Sequence, residues 1–383
     1  MTLIFILSLL IIFMHYIGYP ALLSMGAFGK KKHYKKKGHR PSVSYIVAAY
    51  NEEAVIEEKI LNTLSLNYPK DKIEIIVVSD GSNDGTEKIA KSYETKGVKS
   101  LHSPLRRGKT AALNRAVANS SNEIIIFSDA NSYFSDDSII HLVENLHDSS
   151  IGGVCGRKDI VKNYAKRGAS LGDHFFWSLE SRLKKAQSDA YSITNADGEI
   201  FALRRELYPS ISDDIINDDQ VLTIETIKND KRIIYETDAI TYEEASVTLK
   251  DDYNVKRRMV CGAYQIIAQY PWIINPLNSK FSLHFFFHKF LRYTMFLYLF
   301  LFFISSAFLA FQNGAAIYQF AFYCQAFMYT LAAIGGISYL KGKRIKLLYI
   351  PYYYVLMNTA AASGLIQFLK KTSIGSLWIK ADR

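Results

Sequence analysis

The chain has 383 residues, a formal net charge of +10 and a hydrophobic fraction of 49%, an ordinary value for a soluble protein. The distribution nevertheless excludes a single soluble domain. Residues 3–28 and 281–369 are free of carboxylates, and almost all acidic residues lie between them. The three cysteines (Cys155, Cys261 and Cys324) show no paired spacing, which argues against a disulfide framework and a zinc site and fits a reducing compartment.

The first apolar stretch, residues 3–25, is long enough to cross a hydrocarbon core of about 30 Å at about 1.5 Å per residue. A cleaved signal peptide is the alternative, but no basic segment precedes the stretch and no small-x-small cleavage site follows it. We therefore expect residues 1–28 to be an uncleaved transmembrane anchor whose N-terminus lies outside the cytosol.

A basic juxtamembrane linker, residues 29–40, follows the anchor. Such a cluster could bind nucleic acid, but no aromatic-interleaved RNA-binding signature accompanies it, so we expect no nucleic-acid partner. A positive-inside anchor that touches anionic lipid is the favoured interpretation, and it predicts that the segment after residue 40 faces the cytosol. The basic residues are Lys30, Lys31, Lys32, Lys35, Lys36, Lys37 and Arg40.

The middle of the chain, residues 41–250, alternates β-branched runs with helical patterns. This alternation predicts an α/β fold with a mostly parallel, Rossmann-like sheet covered on both faces. Ligands of such sheets bind beyond the carboxyl ends of the strands, so the polar residues there are the candidates for chemistry. The predicted strands are Val43–Ala48, Ile73–Ser79 and Glu123–Ser128, and the predicted helices are Glu52–Leu64, Thr86–Tyr93 and Thr110–Ala118.

Polar loops follow the first two predicted strands, at residues 48–53 and 79–86. Asn51 could simply cap the next helix, and the Asp-Gly pairs are ordinary turn formers. Because the two loops end successive strands, and Asp80 could accept a hydrogen bond from a base N–H, they together suggest a nucleoside pocket.

The segment Arg106–Thr110 begins the third predicted helix and resembles the end of a Walker A loop. Ser103 stands where that motif needs glycine, and the chain has no GxGxxG, so nucleoside triphosphate hydrolysis and dinucleotide binding lose support. A basic group at a helix N-terminus remains, and it suits an anion such as a diphosphate.

Asp129 and Asn131 follow the third predicted strand and place a carboxylate and an amide oxygen on the same side of an extended segment. Hard oxygen ligands of this kind suit Mg²⁺ or Mn²⁺ bridging a diphosphate. A capping role for Asn131 is equally compatible with the tripeptide alone.

Two adjacent carboxylates, Asp218 and Asp219, lie further along the chain. Because like charges repel, one of them can have a raised pKa suited to accepting a proton near neutrality. A solvated acidic loop is the alternative, supported by the nearby Asp213 and Asp214.

The C-terminal third contains an amphipathic, interfacial segment (251–289), a transmembrane region of two to three spans (290–369) and a tail (370–383). Its apolar stretches cover residues 290–311, 315–339 and 347–369. Basic residues at 341–346 mark one loop as cytosolic. The lysines of the tail would also prefer the cytosol, so one stretch, with 347–369 favoured, could lie in the interface instead of crossing.

Taken together, the segments AAYNEE, IEIIVVSDGSNDGT, RRGKTAALN, IFSDANS, NADGEIFALRREL, NDDQ and KRRMVCGAYQ resemble membrane-bound glycosyltransferase family 2, of the GT-A fold. The resemblance extends to polysaccharide synthases of the cellulose, hyaluronan and poly-N-acetylglucosamine type, and it covers residues 41–270. It implies that Ala48, Tyr50 and Glu52 line the uridine pocket, that Asp80 holds the uracil edge, and that Lys109 approaches the diphosphate or the uracil.

The same resemblance implies that Asp129, with Asn131, serves the donor and its Mg²⁺ or Mn²⁺ ion. Asp219 is then the general base, with Asp218 as the next candidate, and Arg258 lies near the leaving diphosphate. Asn131 departs from the family pattern, which has a second carboxylate there.

The second departure is a missing tryptophan. Processive members carry Gln-x-x-Arg-Trp, whereas this chain has residues 256–260, Lys-Arg-Arg-Met-Val. We therefore expect an enzyme that adds one or a few sugars, unless Trp378 in the tail supplies the ring.

The predicted activity is inverting transfer of a sugar from a UDP-sugar to a lipid-linked or polysaccharide acceptor at the cytosolic membrane face. Within the enzyme class the alternatives are a processive polysaccharide synthase and a polyprenyl-phosphate sugar synthase. Outside it they are a non-catalytic nucleotide-sugar-binding membrane subunit and a transporter, the latter disfavoured because the C-terminal spans lack acidic residues.

Overall fold

The computed structural model describes residues 1–30, 35–160, 170–244, 248–343 and 345–371. The chain divides into two compact units. The helical unit comprises the described residues within Met1–Met25, Ala165–Gly172 and Ser246–Arg383, and the sheet unit comprises those within Gly26–Tyr164 and Asp173–Ala245.

The sheet unit is built on one eight-stranded sheet of order β3-β2-β1-β4-β7-β6-β8-β5. Strands β3, β2, β1 and β4 are parallel to one another, whereas β7 runs antiparallel to both β4 and β6. Strand β8 is parallel to β6, and the short β5 pairs antiparallel with β8. The strands are β1 (Val43–Ala49), β2 (Ile73–Asp80), β3 (Val98–Ser103), β4 (Ile124–Asp129), β5 (Tyr133–Phe134), β6 (Ile151–Ile160), β7 (Phe201–Arg204) and β8 (Arg232–Glu243).

The predicted α/β class is confirmed, and the three predicted strands agree with β1, β2 and β4 to within one residue at each end. Their β-branched side chains are buried on both faces, as parallel strands between helices require. Strands β3 and β5–β8 were not predicted from the sequence. The sheet is mixed, because its second half contains the antiparallel pairs.

In the described part of the sheet unit there are six helices, the fifth of them from residue 173 onward. They are α3 (Ile56–Ser65), α4 (Thr86–Ser92), α5 (Lys109–Ala118), α6 (Ser138–Asn145), α7 (Ser170–Ala190) and α8 (Asp218–Lys228). The main core lies between the sheet and α3, where Ile56 and Ile60 pack with Tyr45 and Val47 of β1 and with Ile126 of β4.

One predicted helix begins later than expected. The segment expected to be helical from Glu52 becomes α3 only at Ile56. Glu52 N donates to Thr86 Oγ1 at 2.8 Å and Glu53 N donates to Asp84 Oδ2 at 3.1 Å, so side chains of the next loop hold these amides.

The helical unit contains α1 (Thr2–Phe13), α2 (Tyr19–Ser24), α9 (Leu249–Gln269), α10 (Lys280–Phe285), α11 (Leu291–Asn313), α12 (Ala316–Leu340) and α13 (Lys346–Leu369). A π-helical segment, Met14–Gly18, joins α1 to α2, and another, Phe286–Phe290, joins α10 to α11. Among the described residues three helical segments are long and apolar enough to cross a membrane, namely Thr2–Ser24, Lys280–Gln312 and Ala316–Leu340. They are compatible with a membrane protein.

Polar contacts join the first of these segments to the second. His15 Nδ1 lies 2.9 Å from the carbonyl oxygen of Phe287, and Tyr19 Oη lies 2.9 Å from His284 Nδ1. The helix α13 is not among the three candidate spans, and its predicted place in the interface stays a prediction. The boundaries predicted for the linker, the interfacial segment and the tail also stay predictions.

Candidate active site

The loops that follow β1 and β2 are hydrogen-bonded to each other. Asn51 N donates to Ser82 Oγ at 3.1 Å, and Asn83 N donates back to Asn51 Oδ1 at 2.9 Å. Asn51 holds a left-handed backbone conformation, φ 52°, and does not cap α3, whose N-cap residue is Val55. The two loops therefore form one connected surface at the carboxyl ends of the parallel strands.

Tyr50 lies on this surface under the guanidinium group of Arg106, whose central carbon is 3.7 Å from the centroid of the ring. Ala48 pairs in register with Asp129 of β4, so the two residues are neighbours across the strands. Glu52, like Ala48 and Tyr50, is partly exposed. These three residues, predicted to line a nucleoside pocket, thus lie at or just after the carboxyl end of β1.

Asp80 is 4% exposed and holds the turn that precedes α5. Its Oδ2 accepts hydrogen bonds from the backbone amides of Arg107, at 2.8 Å, and Gly108, at 2.7 Å. Its Oδ1 lies 3.6 Å from the Arg115 guanidinium and accepts no hydrogen bond from the described residues. The family resemblance assigned Asp80 to the uracil edge, and its hydrogen bonds to the turn before α5 were not predicted.

Gly81 permits the close approach of that turn. It has φ +70°, and a Cβ at this position would lie 2.6–2.8 Å from atoms of Arg106. Only glycine fits both the left-handed conformation and the contact.

Lys109, the first residue of α5, forms an ion pair with Asp129 at 2.7 Å between Nζ and Oδ1. Burial by itself would lower the pKa of Lys109, but the carboxylates of Asp129, Asp218 and Asp219 outweigh it and raise the pKa. The lysine therefore favours its charged form, and its ammonium interacts electrostatically both with Asp129 and with the Asp218–Asp219 pair.

Asn131, two residues after Asp129, donates from Nδ2 to Glu243 Oε1 at 2.9 Å. This contact directs the amide oxygen of Asn131 away from Glu243. No group of three or more His, Cys, Asp or Glu residues able to hold a metal ion occurs in the described part of the chain. Mg²⁺ commonly takes one or two protein oxygens and completes its shell with substrate phosphates and water. The Asp129–Asn131 pair fits a metal ion of that kind.

Asp218 and Asp219 lie in the first turn of α8. Asp218 is buried at 6% exposure, which excludes the alternative of a fully solvated acidic loop for this pair. Burial, and then the charge of Asp218, raise the pKa of Asp219 to about 7, against the opposing charge of Lys109. Asp219 Oδ1 also accepts from Gln220 N at 2.8 Å. A carboxylate with this pKa can accept a proton near neutrality.

Buried and partly buried ion pairs involve the segment before β7, and their cationic partners were not predicted from the sequence. Lys184 on α7 contacts Asp197 at 2.5 Å, and Lys158 on β6 contacts Glu199 at 3.1 Å. The ammonium of Lys158 lies 4.7 Å from the centroid of the Trp177 ring. The lysines and the tryptophan lie far from the acids in sequence and within no motif, so no local signal marks them.

Arg258 lies on α9 in the helical unit, and its role near a leaving diphosphate stays a prediction. All three cysteines are free. Trp378 lies outside the described residues.

Several known proteins share sequence or fold with this chain. Residues 44–211 match the family model "Glycosyl transferase family 2". The chain is 29% identical over 256 residues to the beta-monoglucosyldiacylglycerol synthase of Trichormus variabilis, an alignment that covers 63% of this chain and 54% of that protein. It is 24% identical over 248 residues to the poly-beta-1,6-N-acetyl-D-glucosamine synthase of Staphylococcus epidermidis, covering 63% of this chain and 58% of that protein. The chain thus spans little more than half the length of these relatives.

Among solved structures, the fold is similar to the mannosyltransferase PcManGT from Pyrobaculum calidifontis, solved in complex with GDP-Man and Mn²⁺. The TM-score is 0.74 at 21% sequence identity, and the alignment covers 97% of this chain and all of that one. At this identity the likeness establishes the fold alone. Residues 44–211 are thus similar to glycosyl transferase family 2, and the chain has the fold of a solved mannosyltransferase.

Proposed function

We propose that this protein is a glycosyltransferase that moves a hexose from a UDP-sugar to a lipid-linked or saccharide acceptor with inversion at the anomeric carbon. The observation that carries the proposal is the position of Asp219. It has a raised pKa and interacts electrostatically with Lys109, which is itself paired with Asp129 at the carboxyl end of β4.

In the proposed reaction Asp219 accepts the proton of the acceptor hydroxyl as that oxygen attacks the anomeric carbon. The bond from that carbon to the diphosphate breaks, and the nucleoside diphosphate leaves. Attack from the face opposite the leaving group converts an α-linked donor into a β-linked product. Asp218, which is buried beside the base, contributes the charge that helps to keep the pKa of Asp219 near neutrality.

Asp129 and Asn131 would hold the Mg²⁺ or Mn²⁺ ion, which when bound supplies charge stabilisation to the departing diphosphate. Lys109 holds the Asp129 carboxylate in place through the 2.7 Å ion pair. The Mn²⁺ in the complex of the Pyrobaculum mannosyltransferase supports a divalent cation here. Arg258 is proposed as a further cation for the diphosphate.

The UDP preference rests on the surface formed by Ala48, Tyr50 and Glu52, beside the turn that the buried Asp80 fixes. The stack of Arg106 on Tyr50 supports a base-binding role for this surface, because a nucleobase can stack on the same planar groups. The Pyrobaculum protein was solved with GDP-Man, so a GDP-sugar is the competing donor to be tested.

The acceptor proposal rests on the apolar helices and on the relatives. Three candidate membrane segments would place the acceptor at a bilayer, and the two named relatives are a glycolipid synthase and a polysaccharide synthase.

The basic linker supports a cytosolic face. A reporter fused after residue 40 is expected to read as cytosolic, and an external readout would contradict this orientation.

The purified protein in detergent, supplied with a panel of UDP- and GDP-sugars, tests the proposed function by nucleotide release. Diacylglycerol, a polyprenyl phosphate and β-linked oligosaccharides serve as acceptors. We expect acceptor-dependent UDP release and a β-linked product. Donor binding without turnover on any acceptor would favour a nucleotide-sugar-binding subunit instead.

A further inference from the structure

A fully buried lysine lies beneath the segment that carries Asp129 and Asn131. Lys59 on α3 is 0% exposed. Its ammonium donates to Tyr45 Oη at 2.9 Å, to Ser128 Oγ at 2.8 Å and to the carbonyl oxygen of Ser132. An ammonium has three N–H donors, so these three acceptors match its full capacity.

Two of the acceptors bracket the proposed metal-binding pair. Ser128 directly precedes Asp129, and Ser132 directly follows Asn131. Successive side chains of a strand point to opposite faces, so Ser128 faces α3 while Asp129 faces away from it. Lys59 therefore donates hydrogen bonds to one face of this short segment, and the proposed metal ligands lie on the opposite face.

Packing alone does not explain a lysine at this position. Its ammonium lies 5.2 and 4.9 Å from the ring centroids of Tyr45 and Phe134, which belong to the main core. Burial there lowers the pKa of Lys59 to about 7, against the opposing charge of Asp129. An apolar side chain would avoid this desolvation but would leave the Ser132 carbonyl without its hydrogen bond to the ammonium.

We propose that Lys59 is a positioning residue for the metal-binding segment, and that its bonds to Ser128 and Ser132 hold the oxygens of Asp129 and Asn131 in the arrangement that binds the donor's metal ion. This inference rests on the metal role in the proposed function. It adds a residue that makes no contact with substrate or metal, and that acts from the opposite side of the strand.

The test compares Lys59→Met with Thr63→Val. Thr63 lies one turn further along α3, is also 0% exposed, and donates from Oγ1 to the Lys59 carbonyl at 2.9 Å. Thr63→Val therefore perturbs the same buried helix face and leaves the bonds to Ser128 and Ser132 in place. Calorimetry of UDP binding at increasing Mn²⁺ concentration gives the Mn²⁺ requirement of each variant.

We expect Lys59→Met to raise the Mn²⁺ concentration for half-maximal UDP binding by about tenfold, since supporting partners of metal ligands commonly contribute 10–100-fold to affinity. Thr63→Val is expected to leave it within about twofold. Saturating Mn²⁺ should restore most of the turnover of Lys59→Met, because Asp219 is untouched. A purely structural role would lower thermal stability in both variants and leave the Mn²⁺ requirement unchanged, which would overturn the proposal.

If Lys59→Met does not fold, Ser128→Ala decides the question, because it removes one tether and keeps the buried lysine. It is expected to raise the Mn²⁺ requirement a fewfold, and an unchanged requirement would overturn the proposal. UDP binding by the wild-type protein that does not depend on Mn²⁺ would refute the metal role itself, and the Lys59 inference with it. A metal-dependent wild type with unaffected variants would refute the Lys59 inference alone.

Discussion

The two halves of the sheet hold their polar residues in different ways. In the parallel half, β3-β2-β1-β4, the polar groups at the strand ends bond mainly to nearby loops, as Asp80 does to the amides of Arg107 and Gly108. Beside the mixed half, β7-β6-β8-β5, charged side chains are buried as ion pairs, such as Lys184 with Asp197. Loss of one partner should therefore be more damaging in the mixed half, where it leaves an isolated buried charge.

The largest expected effect concerns the buried ion pair beside the mixed half. Lys184→Met should lower the free energy of unfolding by about 3–5 kcal/mol, because it leaves Asp197 buried without its cation. Lys185→Met is the matched control, since the Lys185–Asp189 pair is 42% exposed on each side and should contribute less than about 1 kcal/mol. Denaturant unfolding in detergent measures both. Equal, small losses in the two variants would show that burial of the Lys184–Asp197 pair does not make the loss of one partner more damaging.

The second prediction concerns Asp129 in the parallel half. Asp129→Ala should weaken metal-dependent UDP binding by at least about tenfold. Loss of an outer-shell partner commonly weakens metal binding by about 10–100-fold, and loss of a direct ligand should weaken it at least as much. Asn131→Asp should be tolerated, because it adds a second carboxylate oxygen to the proposed site. Titration with EDTA provides the complementary check. Wild-type turnover that EDTA does not reduce would show that Asp129 has another role.

The third prediction is a pH dependence. Because the pKa of Asp219 is raised to about 7 and the base must be ionised, kcat should rise through neutrality. Below the pKa it should fall by about tenfold per pH unit. Asp218→Asn removes the neighbouring like charge and should shift the profile to lower pH. A flat profile between about pH 5.5 and 8 in the wild type would contradict a base of this pKa.

The smallest expected effect concerns product length. Residues 256–260 lack the tryptophan of processive relatives, and one aromatic contact contributes roughly 1 kcal/mol. We expect one or a few sugars to be added per encounter, since a weaker acceptor contact mainly raises the off-rate. Products are sized under excess donor and limiting acceptor. Long chains alongside mostly unextended acceptor would establish processive synthesis.

The parallel half could be predicted from sequence because its signals are local. Strands β1, β2 and β4 are continuous β-branched runs, and each ends in the polar loop that carries candidate residues. Strand β3, Val98–Ser103, was missed because it is an edge strand with few buried side chains. The late start of α3 depends on Thr86 and Asp84, which lie over thirty residues away.

The contacts that tune the site were not predictable from local patterns. Asp129 and Asn131 were proposed as metal ligands, and Asp219 as the base, from their spacing and from the resemblance to the family. Lys59 stands in an ordinary amphipathic helix pattern, and only the fold brings its ammonium to Ser128 and Ser132.

The central claim is that Asp219 is the base of a glycosyl transfer, and Asp219→Asn tests it most directly. The change keeps the size of the side chain and removes its ability to accept the proton. Turnover with saturating donor and acceptor should fall by about 10²-fold or more, while the Kd for UDP measured by calorimetry stays within a fewfold of the wild type. Asp214→Asn, at an exposed position nearby, should retain activity. Turnover of Asp219→Asn close to that of the wild type would contradict the claim and move the base elsewhere, with Asp218 as the next candidate.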